Sequence, residues 1–256
     1  MNRHANTLRW IYGMITATFS GLFRPTCLVA AFLLGSWAWA SGFLPGLWLY
    51  QEDISYLAVK HIELVAWAGG LAILVGIPAG ILLARPQLRH VAEYLLQIFN
   101  LGTTIPTLAV LALSMSLLGI GILPAIFGLW VATMLPIVRN TYTGLVSVSG
   151  PLMETARGMG MTPRQIFWQV ELPNASFVIF AGIRTALAIC VGTAPLAFLI
   201  GAGGLGELIF TGIALNDLTM MIAGALPTAI LAVITDFVMG RVQFFAVPRG
   251  INPLRN

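Results

Sequence analysis

The sequence predicts an all-α polytopic membrane protein with about six transmembrane helices. Three observations carry that prediction. Hydrophobic residues make up 58% of the 256 positions and charged residues only 9%, with a mean hydropathy of +0.91. A soluble domain carries about 25% charged residues, so this chain has too little charge to cover a water-exposed surface, and lipid must be the solvent for most of it. Long apolar runs recur near the roughly 20-residue length that crosses a bilayer. The basic residues fall almost entirely into alternate connections between those runs.

The spans are predicted near 26–48, 61–84, 91–117, 121–140, 175–200 and 218–240. Pro78, Pro106, Pro136, Pro195 and Pro227 lie inside them; membrane helices accept such breaks where neighbours satisfy the freed backbone groups. Residues 1–55 form an N-terminal segment with the first span, 56–243 a core domain with a polar loop at 149–173, and 244–256 a tail. Arg residues, an apolar run and Ala38-Trp39-Ala40 also fit a signal peptide with its cleavage site. The uncleaved helix is the preferred reading, because the apolar run continues past Ala40. A short interfacial helix within 1–24, carrying Trp10, Tyr12 and Phe19, is a further expectation.

Arg3, Arg9 and Arg24 precede the first span, Arg85 and Arg89 follow the second, Arg139, Arg157 and Arg164 follow the fourth, and Arg241, Arg249 and Arg255 follow the last. The alternate loops hold only Lys60, and Arg184 lies within a span. By the positive-inside rule the basic side is cytoplasmic, with both termini there. The net charge of +4 is thus a topology signal. No basic face with interleaved aromatics occurs outside the spans, so nucleic acid is not an expected partner, whereas membrane lipid is.

The longest polar run, Glu154 to Pro173, carries its own start and stop signals. Ser149-Gly150-Pro151 offers an N-cap and a proline at the first helical position, where its missing N–H costs nothing. Glu154 is expected in the first turn, against the positive helix end. Gly158 and Gly160 can each supply the left-handed residue that ends the helix. Thr162-Pro163-Arg164-Gln165 restarts with a capping box, and Leu172-Pro173 is expected to stop that second helix. The result is a two-helix knob. Met159, Met161, Ile166, Phe167 and Trp168 are more apolar than a solvated loop needs. Either they fill a groove on a partner, or the segment is an amphipathic loop on the bilayer.

The run Glu154, Thr155, Ala156, Gly160, Val170, Leu172 and Pro173 resembles the EAA motif of ABC-importer permeases: Glu-Ala-Ala, three residues, Gly, nine residues, Ile-x-Leu-Pro. Thr155 and Val170 are mild departures. From about 60 to 240 the chain resembles permeases of the glycine betaine/carnitine/choline (osmoprotectant) branch. Gly76–Arg85, Thr104–Ala109, Leu135–Tyr142, Ala181–Thr185 and Gly201–Ile209 carry that likeness. The last of these stretches is shared with other type I importers, methionine ones included; residues 1–55 add little. The resemblance implies a type I, methionine-permease-like fold. It implies three partners: a cytoplasmic ABC ATPase dimer, a second permease subunit (a homodimer or a sister chain) and an extracytoplasmic substrate-binding protein. ATP and Mg would be bound on the ATPase and no cofactor on this chain. It assigns ATPase coupling to Glu154, Thr155, Ala156, Gly158, Gly160, Val170, Leu172 and Pro173.

Several features have two readings. Thr104, Pro106, Thr193 and Pro195, with Thr103, mark helix breaks that either line a pathway or simply kink packing helices. Gly203, Gly204 and Gly206, with Gly201, fit the dinucleotide fingerprint G-x-G-x-x-G, but the strand–turn–helix context that motif needs is missing. Close backbone packing or a flexible gate is the expected use. Arg184 is expected to pair locally, with Glu171 or backbone carbonyls, unless its depth marks a functional site; Asp236 is expected to pair or snorkel. Trp37, Trp39, Trp48 and Tyr50 read as an interfacial belt, with an aromatic cage for a quaternary ammonium as the alternative. Cys27 and Cys190 read as small core residues. No metal cluster, catalytic constellation or enzymatic activity is predicted. The competing class is an ion-coupled secondary transporter or channel; midspan carboxylates or inverted repeats would signal it, and the sequence shows neither.

Overall fold

The computed structural model describes residues 35–36, 43–102 and 104–251. The first span expected over 26–48, the Ala38-Trp39-Ala40 site, Thr103, Trp37, Trp39 and the 1–24 segment lie wholly or largely outside the described residues. The chain forms two compact units, 1–51 and 52–256. In the first, α1 (Phe43–Leu49) ends in a turn in which the Tyr50 N–H donates to the Leu47 carbonyl at 3.1 Å. The exposed Trp48 fits the belt reading.

The second unit holds the rest, and no strand occurs among the described residues. The helices are α2 (Gln51–Leu83), α3 (Arg89–Gly102), α4 (Thr107–Leu118), α5 (Ile122–Val146), α6 (Gly150–Gly158), α7 (Pro163–Ile166), α8 (Leu172–Thr193), α9 (Gly206–Leu215) and α10 (Leu218–Ala246). Among the described residues, four continuous helical stretches are long and apolar enough to cross a membrane: 51–83, 122–146, 163–200 and 218–246. The span expected over 91–117 is broken where Pro106 marked a break. It parts at Thr104-Ile105-Pro106 into α3 and α4, because the proline ring disfavours helical geometry in the residue before it.

Small residues let the helices approach closely, which in lipid replaces the hydrophobic drive between them. Ala68, Ala72, Gly76 and Gly80 repeat every fourth residue along one buried face of α2. Gly76 lies against Ile137 and Gly80 against Thr141, the same spacing on α5. A Cβ at position 80 would stand 2.5 Å from the Thr141 side chain. Gly182 of α8 is closed in by Asn140 of α5, and Gly224 of α10 by the Leu205 carbonyl and Ile209. These contacts make one core, with Leu64, Ala68, Leu111 and Leu129 at one level and Ala72, Ile137, Ala175 and Ile183 at the next.

The expected pairing of Arg184 with Glu171 is not made. Arg184 of α8 clasps Asp236 of α10 through Nε and Nη2, and Glu171 takes Arg85 instead. Twelve residues of helix separate 172 from 184, about 18 Å along the axis, so Arg184 is out of reach of the loop. Both charges of the Arg184–Asp236 pair lie within membrane-crossing helices, where an unpaired charge is costly. Gln243 of α10 donates to the Phe177 carbonyl at 3.1 Å and ties the same two helices nearer the loop.

Candidate functional site

The polar loop is built as a rigid knob. Ser149 holds the N-cap position with extended backbone, but its side chain makes no capping hydrogen bond; Pro151 alone sets the start. Glu154 is the fifth residue of α6 and lies past the first turn, contrary to expectation. Thr155 is exposed and its hydroxyl donates back to the Pro151 carbonyl at 2.9 Å. Ala156 is buried, the one wholly buried side chain of α6.

Of the two glycines, only Gly160 is left-handed, at φ +77°; Gly158 is ordinary helix. The end is a Schellman motif. The Gly160 N–H donates to the Arg157 carbonyl at 2.9 Å and the Met161 N–H to the Ala156 carbonyl at 3.2 Å. Thr162 then forms the expected capping box with Gln165: the Gln165 N–H donates to the Thr162 hydroxyl at 3.4 Å, and the Thr162 N–H to Gln165 Oε1 at 2.8 Å.

Leu172-Pro173 does not stop the second helix. From α7 the chain enters a five-residue π-helical segment, Phe167–Glu171, and runs on into α8 without a break. The Leu172 N–H reaches back to the Phe167 carbonyl, five residues away. The wider turn absorbs the missing Pro173 N–H, and Asn174 Nδ2 donates to the Val170 carbonyl at 2.7 Å. Val170, Leu172 and Pro173 therefore lie where the knob becomes the membrane helix. Single-turn π segments inside α-helices mark functional positions frequently.

Arg85, read from the sequence only as a topology marker, closes this segment against α2. Its Nη1 donates to Glu171 Oε2 at 3.3 Å, and its guanidinium lies 4.5 Å from the Phe167 ring centroid. Outward, the knob shows Met159 and Trp168, 70% and 65% exposed, with Arg157 and Arg164 beside them. A compact helical end with apolar knobs and flanking charge suits a groove on another protein.

The pathway candidates fall into separate places. Thr104 and Pro106 stand at the α3–α4 break, next to a cavity of about 310 Å³ lined by Ile105, Thr107, Val131, Met134 and Ile189 among others. Thr193 and Pro195 stand where α8 tightens into the 3-10 segment Ala194–Ile200; the Thr193 hydroxyl donates to the Ile189 carbonyl at 2.9 Å. The glycine turn follows, with Gly201, Gly203 and Gly204 all at positive φ. Pro195 and Gly206 meet: a Cβ at 206 would lie 2.0 Å from the Pro195 carbonyl oxygen. Gly204 rests against the backbone of His61 in α2, while Gly203 has open space around it. Gly204 and Gly206 are thus close-packing positions, and Gly203 a freer one.

This arrangement defines a multi-pass membrane protein with a structured loop between two of its membrane helices. Residues 76–245 match the family described as binding-protein-dependent transport system inner membrane component, and the chain belongs to that family. It is 55% identical over 209 residues to the osmoprotectant import permease protein OsmY of Salmonella typhimurium, covering 82% of this chain and 88% of that one. It is 41% identical over 210 residues to the glycine betaine/carnitine/choline transport system permease protein OpuCD of Bacillus subtilis, covering 80% and 89%. Among solved structures, an inward-facing conformation of the MetNI methionine ABC transporter superposes with a TM-score of 0.67 at 25% identity, covering 78% of this chain and 98% of that one. The type I permease fold expected from the motif is the fold observed.

Proposed function

We propose that this chain is the translocation subunit of an ATP-driven importer for an osmoprotectant such as glycine betaine, choline or carnitine. The observation that carries the mechanism is the knob. The turn between its two helices is locked by a Schellman motif and a capping box, and its last turn is continuous with a membrane helix. A rigid knob of this kind transmits displacement rather than absorbing it. In this reading the loop at 149–173 sits in a cleft of a cytoplasmic ATPase dimer, contacting it through the α6–α7 turn and Trp168. ATP and Mg are bound on that ATPase and the ATP is hydrolysed there, so this chain does no chemistry of its own. Closure of the ATPase pair rocks two permease subunits and opens a central pathway alternately to either side. A substrate-binding protein delivers solute at the opposite face, where the glycine turn at 201–206 lies. The basic-residue count supports this orientation, with both termini in the cytoplasm of a bacterial inner membrane.

The names of the relatives support the substrate class; the MetNI likeness keeps a small amino acid as the second reading. Uptake of labelled glycine betaine by the reconstituted importer, with choline, carnitine and methionine as competitors, separates them. Competition by the quaternary amines is expected. Competition by methionine and not by choline or carnitine would overturn the substrate assignment. Replacement of Gly160 by Val tests the knob: loss of bound ATPase and of uptake is expected, and full assembly with full uptake would refute it.

A further inference from the structure

The candidate with most observations behind it is α2, a helix touched at both ends by parts of the molecule to which function has been assigned. At its C-terminal end, Arg85 holds the π segment through two contacts of different kinds: the ion pair to Glu171 at 3.3 Å and the stack on Phe167 at 4.5 Å. Both partners lie within the same five-residue segment, so Arg85 grips its first and last residues together. A planar guanidinium can pair and stack at once; an ammonium cannot do both as well.

On the same helix, 22 residues and about 33 Å before its last residue Leu83, His61 is buried at 1% exposure, with Nε2 3.1 Å from the Val191 carbonyl. A carbonyl only accepts, so Nε2 carries the proton and Nδ1 is left as an acceptor. Nδ1 is buried without a partner, so the Val191 bond alone fixes the ring. The His61 backbone is also the surface on which Gly204 rests, at 3.6 Å from a Cβ built there. Between these ends α2 is seated by Gly69 on Leu187, Gly76 on Ile137 and Gly80 on Thr141. Those contacts are too close to slip freely, because packed interfaces shift between discrete arrangements instead of deforming smoothly.

We infer that Arg85 is a positioning residue that joins the loop to α2, so that displacement of the loop is carried along α2 to the glycine turn at 201–206. The inference rests on the coupling role proposed for the loop. In the π segment the backbone is under-wound, so it is the place where knob and α8 can turn relative to each other. Arg85 makes α2 follow that turn. His61 and Gly204 deliver the movement at the other end.

The test uses the whole importer in proteoliposomes: permease, ATPase subunits and binding protein. The variants are Arg85→Glu, Glu171→Arg and the two combined. Three quantities are read: ATPase subunits retained on purification, solute taken up per ATP hydrolysed, and ATP-dependent labelling of a cysteine placed at Leu199, which is exposed beside the glycine turn. Each single reversal is expected to keep the ATPase bound. Each should lower uptake per ATP by roughly 2- to 30-fold, the range that residues coupling two sites command, and flatten the labelling response at 199. The double reversal is expected to recover both. A residue with only a structural role would change assembly and leave the ratio alone.

If a reversal fails to assemble, Arg85→Lys and Phe167→Leu decide. They keep the charge and the apolar bulk respectively but lose the stack, and a smaller fall in the ratio is expected of each. Wild-type ratios in those two variants, or a double reversal no better than the singles, would overturn the inference. If Gly160→Val abolishes uptake while Arg85→Glu does not, the loop reading stands and the α2 link falls. If neither has an effect, the loop reading itself has failed.

Discussion

Gly160 and Gly158 look interchangeable as letters and differ in the backbone. Gly160 sits at φ +77°, where a side chain costs roughly 1–2 kcal/mol; Gly158 is helical, with nothing within 4 Å of a Cβ built there. Gly160→Val is therefore expected to disorder the turn and release the ATPase, while Gly158→Ala stabilises α6 by about 0.5–1 kcal/mol. Co-purification of the ATPase subunits and a thermal-unfolding midpoint read the two effects. A similar contrast holds at the far turn. Gly206→Ala drives a methyl group into the Pro195 carbonyl and should cost about 1–3 kcal/mol, seen as a lower unfolding midpoint in detergent. The motif spacing marked all of these glycines. It could not say which were dihedral requirements and which were contact requirements, because that depends on what stands opposite each one.

At the scale of the element, the π segment is what the sequence hid. Proline after an apolar run normally reads as a stop, and Leu172-Pro173 was expected to be one. The chain instead adds one residue to the turn, lets the Leu172 N–H bond five residues back, and satisfies the Val170 carbonyl with the Asn174 side chain. Pro173→Ala should then change little, less than about 1 kcal/mol, because the proline occupies a first-turn position where its ring is tolerated. Deletion of Gln169 is expected to do much more. It would restore regular winding, shorten the spacing of Phe167 and Glu171 from four residues to three, and disturb the paired contacts of Arg85. Uptake should fall in the deletion and persist in Pro173→Ala; equal uptake in both would contradict this account of the segment. At 104–106 the proline does what it signalled, and parts the span. Hydropathy alone cannot distinguish a continuous span from two shorter helices meeting at a proline.

For the whole molecule, the half-exposed Arg184–Asp236 pair fastens α8 to α10 within their membrane-crossing lengths. Asp236→Ala should leave a charge unmatched in the span, at about 2–3 kcal/mol, and lower the yield of folded permease. The double variant Arg184→Met with Asp236→Leu should recover most of it, since an apolar pair can replace a buried ion pair without loss; no recovery would show that the charges do more than fasten the helices. Sequence alone determined that the chain lives in lipid, because 9% charge cannot coat a soluble surface. It also determined that the basic residues gather in alternate loops, where the spans roughly fall, and that a capped turn stands within 149–173, because caps and charge counts are local properties written in neighbouring residues. The tertiary structure alone decided which charges pair, which glycines are contacts, and that one arginine just past the end of α2 grips the end of the knob. Those depend on residues 52 and 86 positions apart in the chain, and close approach between distant segments has no local signature to read.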